Sequence, residues 1–103
     1  MNIQTINPKR PKDPAEVWSV TFNFSKITST IDSATWSIEC VSGTDPDVAT
    51  MLLGVPQISG GKTIQLIRNG VHGNVYLVRV DAIKGVEKFT LVAYLKVKRA
   101  GSL

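Results

Sequence analysis

Residues 18–24 read WSVTFNF, and their alternation decides the fold class. Trp18, Val20, Phe22 and Phe24 share one parity, while Ser19, Thr21 and Asn23 share the other. Successive side chains of a strand point to opposite faces, so the stretch has one apolar, aromatic-rich face and one face of hydroxyls and an amide. Moving toward the C-terminus, Ala34, Trp36, Ile38 and Cys40 repeat the pattern against Thr35, Ser37 and Glu39.

Further on, Asp45-Pro46-Asp47 has turn chemistry. Residues 48–58 fit either a helical turn cut short by Gly54 and Pro56 or a short strand around Thr50–Leu53. Gly60-Gly61 opens a turn into a β-branched strand, Thr63–Ile67, and Asn69-Gly70 and Gly73-Asn74 punctuate again. Two longer strands follow, Val75–Ile83 and Lys88–Lys98, joined by a hairpin turn at Lys84-Gly85. Both are apolar on both parities: Tyr76, Val78 and Val80 against Val75 and Leu77, then Phe89, Leu91, Ala93, Leu95 and Val97 against Val92 and Tyr94. Such strands are central in their sheet or have the outer face covered by another subunit. Six or seven short strands with these turns predict an all-β fold, an immunoglobulin-like antiparallel β-sandwich, with a small closed barrel as the second choice. The division expected is an extended N-terminal arm over 1–16, the sandwich over 17–98 and a C-terminal tail over 99–103.

A chain of 103 residues is one domain, and 43% hydrophobic content supplies a single core and excludes a disordered chain. The net charge is +4, yet Lys9, Arg10, Lys12, Lys96, Lys98 and Arg99 hold half of the basic residues at the two ends. The interior is therefore near balance, which argues against a broad basic face. Cys40 stands alone, so neither an internal disulfide nor a cysteine metal cage is available. No apolar run reaches the ~18 residues of a membrane span, and the N-terminus lacks a signal-peptide pattern, so a soluble, unexported product is expected.

The lead-in, PKRPKDPAEVW over 8–18, puts three prolines and three basic residues directly before the first strand. Proline lowers the entropy lost when a segment becomes ordered, and extended segments dock by adding to a neighbour's sheet or lying across it. A docking segment is preferred here to a nucleic-acid arm or a localisation tag.

Reactive chemistry is not expected. GGKT at 60–63 resembles the end of a phosphate loop, but Pro56 stands where that motif needs glycine, and TIQLI reads as a strand rather than a helix. His72 lies alone in the turn NGVHGN. Asp45 and Asp47 flank a proline without the further oxygens that calcium needs. No catalytic residue, cofactor or metal is assigned. Trp18, Phe22, Phe24 and Trp36 fall in apolar rows, as core residues do, rather than beside cations as on an oligonucleotide-binding sheet. Nucleic acid is not an expected partner.

The order of turns and strands resembles that of small β-sandwich proteins of tailed bacteriophages, the fibre–tail adaptors and related tail or virion structural proteins. The similarity lies in Lys12-Asp13-Pro14 with Glu16-Val17, in Thr30-Ile31 with Ser33 and Thr35-Trp36, in the spacing of Gly70, Gly73 and Tyr76, and in Phe89-Thr90-Leu91. It implies a non-enzymatic virion protein made in the host cytoplasm. Several copies at the tail or neck would join portal, adaptor or tail-tube proteins to a fibre or spike. A head–tail connector, a capsid decoration subunit and a surface-sugar-binding module are the alternatives. The residues expected to make protein contacts are Pro8, Lys9, Arg10, Pro11 and Lys12 in the arm, with Val92 and Tyr94 on the second face of the last strand.

Overall fold

The computed structural model describes residues 4–101. The first three residues of the arm and the last two of the tail lie outside them. Among the described residues seven strands run in chain order: β1 (Gln4–Thr5), β2 (Trp18–Asn23), β3 (Ser33–Ser42), β4 (Leu52–Ser59), β5 (Lys62–Ile67), β6 (Val75–Lys84) and β7 (Glu87–Lys96), with one 3-10 turn at Val48–Met51. They form two sheets, β1-β7-β6-β3 and β2-β5-β4, packed as a β-sandwich. All pairings are antiparallel except β1 with β7, which is parallel.

The parities read from the sequence are the inner faces. Val20, Phe22 and Phe24 are buried from one sheet, and Trp36, Tyr76, Val78, Val80, Ala93 and Leu95 from the other. Burying each large apolar side chain is worth roughly 1.5–3 kcal/mol, so this row supplies most of the drive to close the sandwich. Phe22 meets Trp36 edge to face across the sheets, with ring centroids 5.0 Å apart at 81°. The indole N–H of Trp36 donates to Thr63 Oγ1 at 3.0 Å, and that hydroxyl donates to the Gln57 carbonyl at 3.0 Å. A polar relay therefore runs from β3 through β5 to β4 in the middle of an apolar layer, with every member satisfied.

Tyr76 is fully buried near the start of β6. Its hydroxyl accepts from the Val71 N–H at 2.8 Å and donates to Asp45 Oδ2 at 2.7 Å. Burial, together with the Asp45 carboxylate that the hydroxyl hydrogen-bonds, pushes the phenol up from its ordinary value of 10.0. One side chain thus ties the β5–β6 connection and the Asp45 turn to the core.

Of the two readings left open for residues 48–58, the helical turn forms, and the strand starts only after it, sharing just Leu52 and Leu53 with the expected Thr50–Leu53. The helical turn occupies Val48–Met51, and a strand then runs from Leu52 past Gly54 and Pro56 to Ser59. It does so because the pairing with β5 shifts between Leu53 and Gln57. Gly54 takes φ +77°, and Pro56, which has no N–H to offer a ladder, sits in the bulge, where none is asked of it. The carbonyls freed by the bulge are not abandoned. Buried Gln65 on β5 sends its amide N–H groups to the carbonyls of Leu53 (2.8 Å) and Gly54 (3.2 Å).

At the other end of this hairpin the two-residue turn Gly60-Gly61 is clasped by the β2–β3 connection. Phe24 N–H donates to Gly61 O at 2.8 Å and Ile31 N–H to Gly60 O at 3.1 Å. A Cβ on Gly61 would fall 2.8 Å from the Thr28 carbonyl, so the approach needs glycine. GGKT is accordingly a hairpin tip, with Lys62 exposed at the start of β5.

Replacing Gln65 by leucine keeps the volume and removes the donors to the bulge. Losing these part-buried hydrogen bonds should cost about 0.5–1.5 kcal/mol. Urea unfolding of Gln65→Leu should show a lower midpoint with an unchanged slope; an unchanged midpoint would show that the bulge does not depend on this amide.

Candidate interaction surface

The described part of the N-terminal segment, expected as an extended arm over 1–16, lies along its own sandwich. Gln4 and Thr5 pair with Ala93 and Tyr94 of β7, and Ile6 N–H donates to Tyr94 O at 2.7 Å. The chain then turns at Asn7, which has φ +45°, with Arg10 N–H donating back to Asn7 O at 3.1 Å. It returns to the same strand at Lys12, whose N–H donates to Lys96 O (2.9 Å) and whose carbonyl accepts from Lys98 N–H (2.8 Å). The described part of the arm is therefore an edge of its own sheet. Pro8 and Pro11 lie in the looped-out stretch, where no ladder N–H is required.

Lys12 corrects the list of contact residues. It is fully buried, and its ammonium donates to the carbonyls of Asn69 (2.7 Å) and Asp13 (3.0 Å). Desolvation lowers its pKa from the ordinary 10.5, partly offset by the charges of Glu16 and Asp13. Its place is inside this chain, pinning the arm to the β5–β6 connection, and it is not exposed to a partner. Lys9, Arg10, Pro8 and Pro11 are all exposed.

Around Lys12 the latch continues. Arg10 forms an ion pair with Glu16 and stands over the Trp18 ring, 5.8 Å from its centroid. Asp13 N–H donates to Glu16 Oε1 at 2.8 Å, and Asp13 itself accepts from the amides of Ala15 (2.7 Å) and Ala100 (2.6 Å). His72 Nδ1 accepts from Arg99 N–H at 2.8 Å. The two chain ends are thus held side by side, and the basic residues that the sequence places at opposite termini become neighbours.

Their meeting leaves a hollow of about 400 Å³ lined by Pro8, Lys9, Arg10 and Pro11 on one side and by His72, Val75, Lys96 and Lys98 on the other. Among the described residues, Lys9, Lys96 and Lys98 have no ion-pair partner. Val92 and Tyr94 do not line this hollow. They lie along the same outer face, half-buried, where the register sets Tyr94 beside Thr5 and Leu77, and Val92 beside Arg79. Lys96 and Val75 form the next pair toward the hollow. Beyond Val92, Asp81 is held by Thr90 Oγ1 (2.5 Å) and Arg79 Nε (3.2 Å), which keep its carboxyl below its ordinary value of 3.8. The result is an apolar strip of Val75, Leu77, Val92 and Tyr94, with a cationic hollow at one end and the Arg79–Asp81 pair at its side.

Chemistry that the sequence had weighed elsewhere has structural work in the fold. Asp45 accepts from Tyr76 and from the Asp47 N–H at 2.9 Å, and Cys40 Sγ lies 3.4 Å from the Ser42 carbonyl. No three His, Cys, Asp or Glu side chains gather into a metal-sized group among the described residues. No helix among them is long and apolar enough to cross a membrane. Sequence reasoning missed Lys12 as a latch, Gln65 as a bulge filler and Leu77 and Val75 as members of the strip. The last two were visible in the parity of β6, whereas nothing local marks the first two. No protein-family model matches this chain, and searches of curated proteins and of solved structures give no match either.

The latch has a pH signature. Glu16 is lowered from its ordinary 4.5, first by the Arg10 hydrogen bond, and Asp13 from 3.8, first by the Ala100 amide. Both folded values are depressed, so the stability they give is present above these ordinary values and is lost as pH falls through the folded ones. Lys12 is also depressed, so its contribution is greatest above 10.5 and declines as pH drops below it. Amide exchange at Lys12 and Lys98, compared between pH 6 and pH 2.5 after correction for intrinsic rates, should lose protection in acid. The Glu16→Gln, Asp13→Asn double variant should already show that loss at pH 6.

Proposed function

We propose that this chain is a non-enzymatic structural subunit of a bacteriophage virion, an immunoglobulin-like module that joins the tail or neck to a fibre or spike. The observation that carries the reading is the outer face of β6 and β7: a half-buried apolar strip ending in a cationic hollow, on a rigid sheet. A protein-binding surface has this anatomy, an apolar centre with an aromatic anchor and a polar, charged rim. Tyr94 is the anchor, and Lys9, Lys96 and Lys98 meet acidic groups on the neighbour.

The immunoglobulin-like assignment is supported by three features. The order β2-β5-β4 against β7-β6-β3 corresponds to strands B-E-D against G-F-C of that fold. Trp36 is buried on β3, in the place of strand C. Tyr76 stands near the start of β6, the counterpart of strand F, with its hydroxyl on the backbone N–H five residues upstream, the arrangement known as a tyrosine corner. The phage assignment is supported by the motif resemblance, from the Lys12-Asp13-Pro14 lead-in to Phe89-Thr90-Leu91. Portal, adaptor, tail-tube and fibre proteins are the partners on this reading, with several copies around the tail axis.

The test is incorporation. Particles purified from an infected host should contain the chain by mass spectrometry. Tyr94→Asp, combined with Lys96→Glu, should retain the wild-type melting temperature and enter particles roughly thirtyfold less, as loss of a central anchor would require. Absence of the wild-type chain from particles refutes the virion role; normal entry of the variant refutes the surface.

A further inference from the structure

Among the described residues β2 is the outermost strand of its sheet, paired with β5 on one side only. The Phe24 N–H points toward Gly61 of the β4–β5 turn, and in an antiparallel ladder the direction alternates, so Trp18, Val20 and Phe22 also turn their main-chain groups toward β5. Ser19, Thr21 and Asn23 therefore direct three N–H and three C=O groups to the open edge, at intervals of about 6.8 Å. No hydrogen bond occupies these amides among the described residues. Beside that edge lies a groove of about 860 Å³, walled by β2 and by Gln4–Asn7 and Leu91–Ala93 across from it.

The other edges are blunted and this one is not. β4 carries the Gly54–Pro56 bulge, β3 carries Glu39 and a register break between Cys40 and Ser42, and β1 has two described residues. WSVTFN contains no proline, glycine, bulge or charge. An edge of this kind is a template for another strand. Charge narrows the choice of partner: in a chain of net charge +4, an uncharged edge is where a second copy approaches with least self-repulsion.

We propose that the open edge of β2 pairs antiparallel with the same edge of a second copy, about a twofold axis through Thr21. The sequence is complementary to itself in that register. Ser19 faces Asn23 of the second copy and Thr21 faces Thr21, each pair exchanging two main-chain hydrogen bonds through the groups that are free. On the inner side Val20 meets Phe22 of the second copy, an aromatic to β-branched pairing, and threonine opposite threonine on the outer side is a favoured cross-strand pair. An isologous contact of this form closes as a dimer and leaves no further β2 edge to propagate. It uses main-chain groups of β2 and neither Leu77 nor Tyr94, so it stands or falls apart from the virion reading.

Thr21 is exposed on the solvent face, so charged variants there leave the fold intact. Sedimentation equilibrium of the full chain should give a dimer of the 11.2 kDa protomer, with amides of Ser19, Thr21 and Asn23 protected from exchange in proportion to dimer formed. Thr21→Lys and Thr21→Glu should each raise the dissociation constant at least about tenfold, because like charges then face each other on the axis. Mixing the two variants should restore the dimer. A wild-type monomer at millimolar concentration overturns the proposal, as does a dimer unaffected by either variant or a mixture that fails to recover.

Discussion

The contact between Trp36 and the opposite sheet is the constraint on which the remainder depends. Its ring meets Phe22 edge-on, and its single N–H has one acceptor, Thr63 Oγ1, which in turn needs the Gln57 carbonyl. An aromatic contact alone tolerates sliding; a buried N–H does not, because leaving it unpaired costs about 1–3 kcal/mol. The relay therefore fixes the register of β3 over β5 and of β5 against β4 together. That explains a buried threonine on the inner face of β5, and it explains why β4 resumes pairing at Gln57 after its bulge. The same logic recurs at Tyr76, where one hydroxyl holds two connections.

The N-terminal segment shows how a polar sequence becomes part of a fold. Lys12 is too costly to bury for its own sake, since removing an ammonium from water is opposed unless its donors are met. Two carbonyls meet it here, and one of them is that of Asn69, the neighbour of Gly70. At Gly70 any Cβ would fall 2.8 Å from Val97, so the main chain of the β5–β6 connection lies directly on the last strand. Lysine reaches across this junction and joins arm, connection and β7. The prolines nearby restrict the loop between two points of attachment to one strand, which lowers the entropy cost of holding both.

Much of the fold was legible because inner and outer rows are written in parity. Trp18 to Phe24, Ala34 to Cys40, Tyr76 to Val80 and Phe89 to Val97 all face as their alternation says, and the outward position of Val92 and Tyr94 follows from the same rule. What was not legible depends on residues distant in sequence. Gly54 and Pro56 look like the end of an element, and only the pairing with Gln65 shows that they form a bulge inside one. Lys12 looks like a surface cation in a basic run, and only Asn69 and Lys96 reveal otherwise. Of the candidate surface, the strip was readable from the strands. The hollow was not, because it exists only where the two ends of the chain meet.

That last dependence couples the candidate surface to the stability of the latch. The β4–β5 and β6–β7 hairpins are local pairings, whereas the arm joins β7 across nearly the full length of the chain, and such closures come late because loop entropy is lost before contacts are gained. By the same reasoning this edge is among the first to open, since parallel pairing over two described residues and one bridge offers few hydrogen bonds. Lys9 and Arg10 are positioned only while Lys12, Asp13 and Glu16 hold. The apolar strip of Leu77, Val92 and Tyr94 does not share this dependence, because β6 and β7 pair along their whole length. The surface thus has a centre, Lys96 included, held by the full β6–β7 pairing, and a cationic arm of Lys9 and Arg10 that can detach. A partner that engages the arm stabilises the latched state by its preference for that state, and the ordering cost is small because the sandwich has already borne most of it.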